Sequence, residues 1–236
     1  MAARGGTGAG AAWRRLRYRC LAHLPGPRGL HYRTKYRKTL TPLAEAAFEA
    51  ALARVEGRAC IDLGANLGTV SRRMALTAGH VYAFEPDPWT AAELRTRVAD
   101  LPNVEVIEAV AGSEAGTVTL YRRTGFDTDR EKLSQGASTL ADKRNVDPDC
   151  AIDVPQVDFP AFLEALDAPV AILKMDIEGA EVALLEALFD RPAFARIEHV
   201  FVETHEDRLP ALAARTEALR RRAARTDRPH IDMNWR

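Results

Sequence analysis

The sequence predicts a doubly wound α/β fold on a mostly parallel sheet. From residue 58 onward, short apolar runs alternate with helical stretches, the pattern of successive βα units. The first run, Ala59-Cys60-Ile61-Asp62-Leu63, enters a glycine turn at Gly64 with a helix directly behind it. At 236 residues and 47% hydrophobic, the chain suits one core of this kind and is not a disordered or fibrous composition.

Before that pattern comes a different segment. Residues 1–44 hold ten lysines or arginines and no acid, which leaves 23 basic residues against all 33 acids in the remainder. The expected division is a basic arm over 1–40 and an acidic domain over 41–236. Residues 1–11, rich in Gly and Ala, read as a disordered tip. From Trp13, the positions Leu16, Cys20, Leu21 and Leu24 recur at helical spacing among Arg14, Arg15, Arg17 and Arg19. Such a segment either caps the domain with a solvated arginine face or meets an anionic membrane surface, acidic glycan or nucleic acid. An organellar transit peptide fits poorly, because serine is scarce and the segment runs on into the domain.

Pro25, Gly26, Pro27 and Gly29 should break this helix. Thr41-Pro42 then starts another, with Thr41 as N-cap, and Gly57 ends it. Strands are expected near 58–63, 80–85, 104–110, 170–176 and 199–204, and helices near 67–77, 88–99, 159–167, 179–189 and 209–224. Thr117 to Arg122 reads as an extra strand, and 124–150 as a long polar connection of the kind that forms lids and binding loops. Only one helix and a strand-like stretch, His230 to Trp235, follow the last strand. The far edge of the sheet is therefore expected to be abbreviated, or completed by the Thr117 to Arg122 strand.

Cys20, Cys60 and Cys150 are far apart and form no CxxC pair, so they read as thiols in a reducing compartment. No apolar run reaches about 20 residues and no secretory signal is visible, so a cytoplasmic location is expected.

The glycine turn carries the strongest chemical signal. Gly64 permits a tight turn and close approach of a ligand, and the helix start behind it favours an anionic group such as a carboxylate. The spacing Gly64-Ala65-Asn66-Leu67-Gly68 is neither the G-x-G-x-x-G of dinucleotide binders nor a phosphate loop. Glu85, 21 residues after Gly64 and followed by Pro86, ends the second strand. An acid there can accept both hydroxyls of a ribose. Lys174, Asp176 and Glu178 share one side of the next exit if extension persists, and Glu203 and His205 leave the strand after it. If those strands are neighbours, five ionisable groups meet at the carboxyl edge, where open α/β sheets bind ligands.

The strings Asp62-Leu63-Gly64-Ala65-Asn66-Leu67-Gly68, Phe84-Glu85-Pro86, Lys174-Met175-Asp176-Ile177-Glu178-Gly179-Ala180-Glu181 and Glu203-Thr204-His205 resemble the FkbM family of S-adenosylmethionine-dependent methyltransferases. The resemblance spans about 58–206 and implies a Rossmann-like class I methyltransferase fold. It implies methylation of a hydroxyl on a sugar, glycan or natural-product acceptor. In that family the Gly64 turn, with Asp62, Ala65, Asn66 and Gly68, would hold the methionine part of S-adenosylmethionine, Glu85 its ribose with Pro86 beside it, and Ala109 and Val110 would line the adenine pocket. Gly136 to Leu140 resembles a loop near the substrate.

A hydroxyl acceptor gains from a general base, and His205 is favoured because an unperturbed imidazole titrates near neutrality, with Asp176 next. Lys174 would steady an acidic substrate or keep Asp176 ionised, with Glu178 and Glu203 completing the group. Asp176, Glu178, Glu203 and His205 also make a donor set suited to a divalent cation such as Mg²⁺ or Mn²⁺, although a metal-free site is favoured. Nucleic acid is not expected as a partner, since the body is acidic and carries no nucleic-acid-binding motif. The rival readings are a dinucleotide-dependent oxidoreductase and a catalytically silent binding module on the same fold.

Overall fold

The computed structural model describes residues 8–235. Of the expected tip, residues 1–7 lie outside them and residues 8–11 already belong to a helix, α1 (Gly8–Leu21). A second helix, α2 (Gly26–Lys38), occupies the stretch expected only as a break. Pro27 stands in its first turn, where a missing N–H costs nothing. A Cβ at Gly29 would come within 1.7 Å of the Leu24 carbonyl oxygen, so glycine is what allows the α1–α2 hairpin to close. Helix α3 (Thr41–Leu52) begins one residue earlier than expected. Leu40 is its N-cap and Thr41 makes no capping bond, because the chain arrives from α2 already in helical conformation, with Leu40 at φ −91°, ψ −22°.

The main sheet then builds in βα steps: β1 (Ala59–Leu63), α4 (Thr69–Ala75), β2 (His80–Phe84), α5 (Pro88–Arg97) and β3 (Val104–Ile107) run outward to one edge. The chain returns to the centre with α7 (Phe159–Ala165) and β7 (Val170–Met175), followed by α8 (Glu181–Phe189), β8 (Ile197–Val202), α9 (Ala213–Ala223) and β9 (His230–Asp232). The order is β3-β2-β1-β7-β8-β9, with every pairing parallel. Strand direction through the sequence reverses between β1 and β7, which puts the binding crevice at their carboxyl ends.

All six residues of β7 are buried, as expected for a central parallel strand covered on both faces. Ile61, Leu63, Leu173 and Met175 pack with Phe159, Leu184 and Leu185. The alternating positions Cys60 and Ile172 pack on the other side with Phe48, Met74 and Trp235. The Phe48 ring centre lies 4.4 Å from that of the tilted Trp235 ring and 5.2 Å from that of Phe201, which it meets edge to face, and this ties α3 to the last strand region.

A second sheet departs from the expectation. The strand expected at 104–110 stops at Ile107, and Val110 begins β4 (Val110–Gly112), which pairs with β6 (Val146–Asp158). The Thr117 region forms β5 (Gly116–Arg123), antiparallel to β6. It therefore does not complete the main sheet, whose edge is the three-residue β9. Residues 124–145 connect β5 to β6 through a single short helix, α6 (Arg130–Leu133), and a 3-10 turn.

Candidate active site

At the carboxyl ends of β1, β2, β7 and β8 lies a cavity of about 570 Å³. Its wall includes Gly64, Ala65, Asn66, Glu85, Pro86, Ala109 and Val110 from the expected cofactor half. Lys174, Asp176, Glu178 and Glu203 line it as well. Asp62, Gly68 and His205 are not on that wall.

Each placement has a local cause. Gly64 adopts φ +76°, and a Cβ there would lie 1.9 Å from the Asp176 carbonyl oxygen, so the two strand exits touch through backbone alone. Asn66 also has a positive φ, 48°, and its amide N–H donates to Glu85 Oε2 at 2.9 Å. The Asp87 N–H donates to the other oxygen, Oε1, at 3.0 Å. Burial outweighs these donors and pushes the Glu85 carboxyl up to about 7. Asp62 sits beneath the turn, fully buried, accepting from Ser71 Oγ at 2.7 Å and lying 3.1 Å from Lys174 Nζ. Gly68 meets α5 instead of the cavity, since a Cβ on it would come within 2.6 Å of Leu94.

Lys174 is directed at the turn more than at a substrate. Its ammonium donates to the Gly64 carbonyl at 2.9 Å, and stands 3.9 Å from Asp176 Oδ2. Burial opposes its charge, but Asp62 and Asp176 outweigh burial and raise its pKa. Lys174 thus fixes the glycine turn and faces Asp176 at the same time.

Extension does not persist past Met175. Glu178 at φ 55° and Gly179 at φ 114° turn the chain back before α8. The turn still gathers the expected acids around His205. Nε2 of His205 lies 3.1 Å from Glu178, 3.6 Å from Asp176 and 3.9 Å from Glu203, with hydrogen-bond geometry to none of them. Nδ1 faces Glu181 Oε1 at 3.2 Å, and the same oxygen accepts the His205 backbone N–H at 3.1 Å. The other Glu181 oxygen accepts from the Gly179 N–H at 2.7 Å. Glu181, present in the sequence string without a role, is therefore the positioning residue for both the turn and the imidazole.

These neighbours change the expected chemistry of His205. Its burial works against a charge, but the hydrogen bond to Glu181 and the charges of Glu181, Glu178 and Asp176 prevail and push it up to about 9. At neutral pH it is an imidazolium, 2% exposed, and so is neither free to accept a proton nor on the cavity wall. Because the folded value exceeds the ordinary one, its stabilising contribution is complete below about pH 6.5 and is lost as pH rises through about 9. The thermal midpoint should fall across that window, by the equivalent of a few kcal/mol at most, and His205→Gln should flatten the fall. An unchanged pH profile in that variant would refute the assignment.

Asp176 differs. Burial is the main influence on its carboxyl and raises it, partly offset by Lys174 and His205. Its side chain is 30% exposed, but Oδ1 is buried and faces His205 Nε2 at 3.6 Å without a hydrogen bond among the described residues, while Oδ2 stands 3.9 Å from Lys174 Nζ. The exposed part of the Asp176 carboxylate is what reaches the cavity wall.

The long connection supplies Ser138, inside the flagged 136–140 stretch, and Ser134 and Lys143, which no motif flagged, while Arg208, also unflagged, comes from the segment after β8. Lys143, buried, reaches Glu178 Oε2 at 2.6 Å and the Gly136 carbonyl at 2.5 Å. Arg208 adds a contact to Glu178 at 3.1 Å. Ser138 Oγ donates to the Glu178 carbonyl at 2.7 Å and Ser134 Oγ to Asn66 Oδ1 at 2.9 Å. The loop thus closes over both halves of the site. Asp176, Glu178 and His205 bring one donor atom each within 4.8 Å of one another, a spacing open to a cation. Lys143, Arg208 and the imidazolium already neutralise Glu178, so a divalent ion would have to displace Lys143 or the His205 proton.

A parallel sheet in this order, with its cleft at the switch point between β1 and β7 and its acids gathered there, defines a Rossmann-like α/β protein. The chain belongs to the FkbM methyltransferase family: the family model described as Methyltransferase FkbM domain matches residues 62–225. It is similar to a protein named 2-O-methyltransferase NoeI, from Sinorhizobium fredii (strain NBRC 101917 / NGR234), at 24% identity over 169 residues, covering 65% of this chain and 68% of that one. Among solved structures, it is similar to Methyltransferase FkbM from Methylobacillus flagellatus KT at 18% identity and a TM-score of 0.43, over 90% of this chain and 53% of that chain. An rRNA methylase from Streptococcus thermophilus matches at 11% identity and a TM-score of 0.41, over 77% of this chain and 78% of that chain. No helix among the described residues is long and apolar enough to cross a membrane.

Proposed function

We propose that the chain is an S-adenosylmethionine-dependent O-methyltransferase acting on a hydroxyl of a sugar, glycan or natural-product acceptor. Glu85 carries this reading. It is a nearly buried carboxylate on the cavity wall whose two oxygens each accept one backbone N–H, which leaves each a lone pair for a ribose hydroxyl. The rest of the cradle suits the same group: a backbone turn at Gly64 with no side chain, the Asn66 side beside it, and apolar Pro86, Ala109 and Val110 for a flat base. Bound there, S-adenosylmethionine would supply a methyl carbon activated by its sulfonium.

The chain's own task is alignment and proton removal. Asp176 accepts the acceptor hydroxyl's proton through the part of its carboxylate exposed on the cavity wall, while its buried Oδ1 faces His205. His205, held by Glu181, stays charged and keeps Asp176 and Glu178 in place. The loop over 124–145 covers the acceptor side through Ser138 and Lys143. The relative's name, a 2-O-methyltransferase, supports oxygen as the atom methylated.

The test is calorimetric titration with S-adenosylmethionine, S-adenosylhomocysteine and NAD. Micromolar binding of the first two is expected, weakened by about 1–3 kcal/mol in Glu85→Ala. Because ribose hydroxyls donate to the ionised form, wild-type affinity should fall roughly tenfold from pH 8 to pH 6 as Glu85 protonates near 7. Binding of NAD alone would overturn the proposal in favour of a dinucleotide enzyme, and binding of none would favour a silent module.

A further inference from the structure

Helix α1 carries its apolar stripe on the outside. Its inner side packs on α2: the Tyr18 and Tyr32 rings lie 6.1 Å apart, the Lys35 ammonium stands 5.8 and 5.9 Å from their centres, and Arg33 Nε donates to the Ala22 carbonyl at 3.0 Å. Trp13, Leu16 and Cys20, spaced i, i+3, i+7, form the opposite side, with Trp13 70% and Leu16 59% exposed. The exposed Arg14, Arg17 and Arg19 border this stripe. Leu24 and Leu30, just past the helix and on α2, are also exposed large apolar residues.

We propose that the α1–α2 hairpin is a docking surface for an anionic lipid bilayer, with Trp13 and Leu16 entering the headgroup boundary and Arg14, Arg17 and Arg19 meeting lipid phosphates. Scattered exposed leucines need no explanation, but a tryptophan and leucine on one outward stripe between arginines is the build of an interfacial helix. No acid precedes Glu45, so the potential of the whole segment has one sign, matched by an anionic membrane face. That charge argues against a second copy on the same face, because like arginines would meet. Nucleic acid would satisfy the arginines and stack a base on Trp13, but would leave the aliphatic Leu16, Leu24 and Leu30 uncovered. The hairpin is also held to the body: Arg37 of α2 pairs with Glu206, which follows His205 and in turn binds Arg220 at 3.2 Å. A membrane contact through α1 would therefore sit at the end of the sheet that carries the cavity. The inference is independent of which acceptor or cofactor the cavity takes.

The full-length protein is to be sedimented with vesicles of phosphatidylcholine alone and of phosphatidylcholine mixed with phosphatidylglycerol, at low and high salt. Binding to the mixed vesicles only, weakened by salt, is expected. The double variant Trp13→Ser, Leu16→Ser should bind at least about tenfold more weakly. Both side chains are exposed, so the variant should melt as the wild type does, which separates lost docking from lost folding. Equal binding to both vesicles, or undiminished binding of the double variant, would overturn the proposal. So would tighter binding to a homopolymer RNA than to vesicles, or a concentration-dependent dimer that Trp13→Ser dissociates.

Discussion

Replacing Asp176 by Asn is expected to lower the rate of methylation about 10²–10⁴-fold, the range for loss of a positioned proton acceptor, with cofactor affinity within a few-fold of wild type. The geometry separates the two effects. Asp176 stands at the exit of β7 with its carboxylate partly exposed on the cavity wall, whereas the proposed ribose contact, Glu85, is on β2's exit. His205→Gln should cost less in rate, because the imidazolium is buried behind the wall and positions Asp176 and Glu178 instead of meeting the acceptor. Release of S-adenosylhomocysteine in initial-rate assays checks both. Near-wild-type turnover in Asp176→Asn, or a larger loss in His205→Gln than in Asp176→Asn, would return the base to His205.

This ordering reverses what the residue types alone suggest, and the reason is physical. An imidazole titrates near neutrality only in an ordinary environment. Here Glu181 and Glu178 arrive from the turn after β7 while His205 arrives from the exit of β8, and the sheet register that brings them together is not written in either string. What the strings do carry are strand ends: Gly64, Glu85, Asp176 and Glu203 fall where an apolar run stops, and the parallel order of the sheet converges such ends on one edge. The same logic fails for β6, because Pro148, Pro155 and four aspartates within it are turn and loop signals and much of its surface is solvated. It fails for Lys143 and Arg208, since neither lies in a motif and their shared partner, Glu178, is about thirty residues away from each. Helix α2 was hidden by prolines that break a helix interior but are harmless in a first turn.

A second substitution should act on stability and on both functions at once. Gly57 and Gly64 share a positive φ of +76°, so replacing either with Ala incurs left-handed strain of about 1–2 kcal/mol. Their surroundings differ. At Gly57 a new Cβ meets nothing within 4 Å, whereas at Gly64 it would lie 1.9 Å from the Asp176 carbonyl oxygen and 2.9 Å from its carbon. That neighbour is backbone and cannot rotate away. Relief requires the exits of β1 and β7 to part, which would stretch the Asp176 N–H bond to the Leu63 carbonyl, now 3.0 Å, and the Lys174 bond to the Gly64 carbonyl, now 2.9 Å. Gly64→Ala is therefore expected to destabilise the fold by more than ~3 kcal/mol, a size reserved for strain or steric overlap at a special backbone position, and Gly57→Ala by the strain alone. Denaturant unfolding of the two variants measures the difference, and equal losses would remove the close contact as its cause. If Gly64→Ala still folds, cofactor titration and turnover should both fail in it, because one backbone contact sets both the turn proposed to receive the cofactor and the carbonyl end of the residue proposed to take the proton.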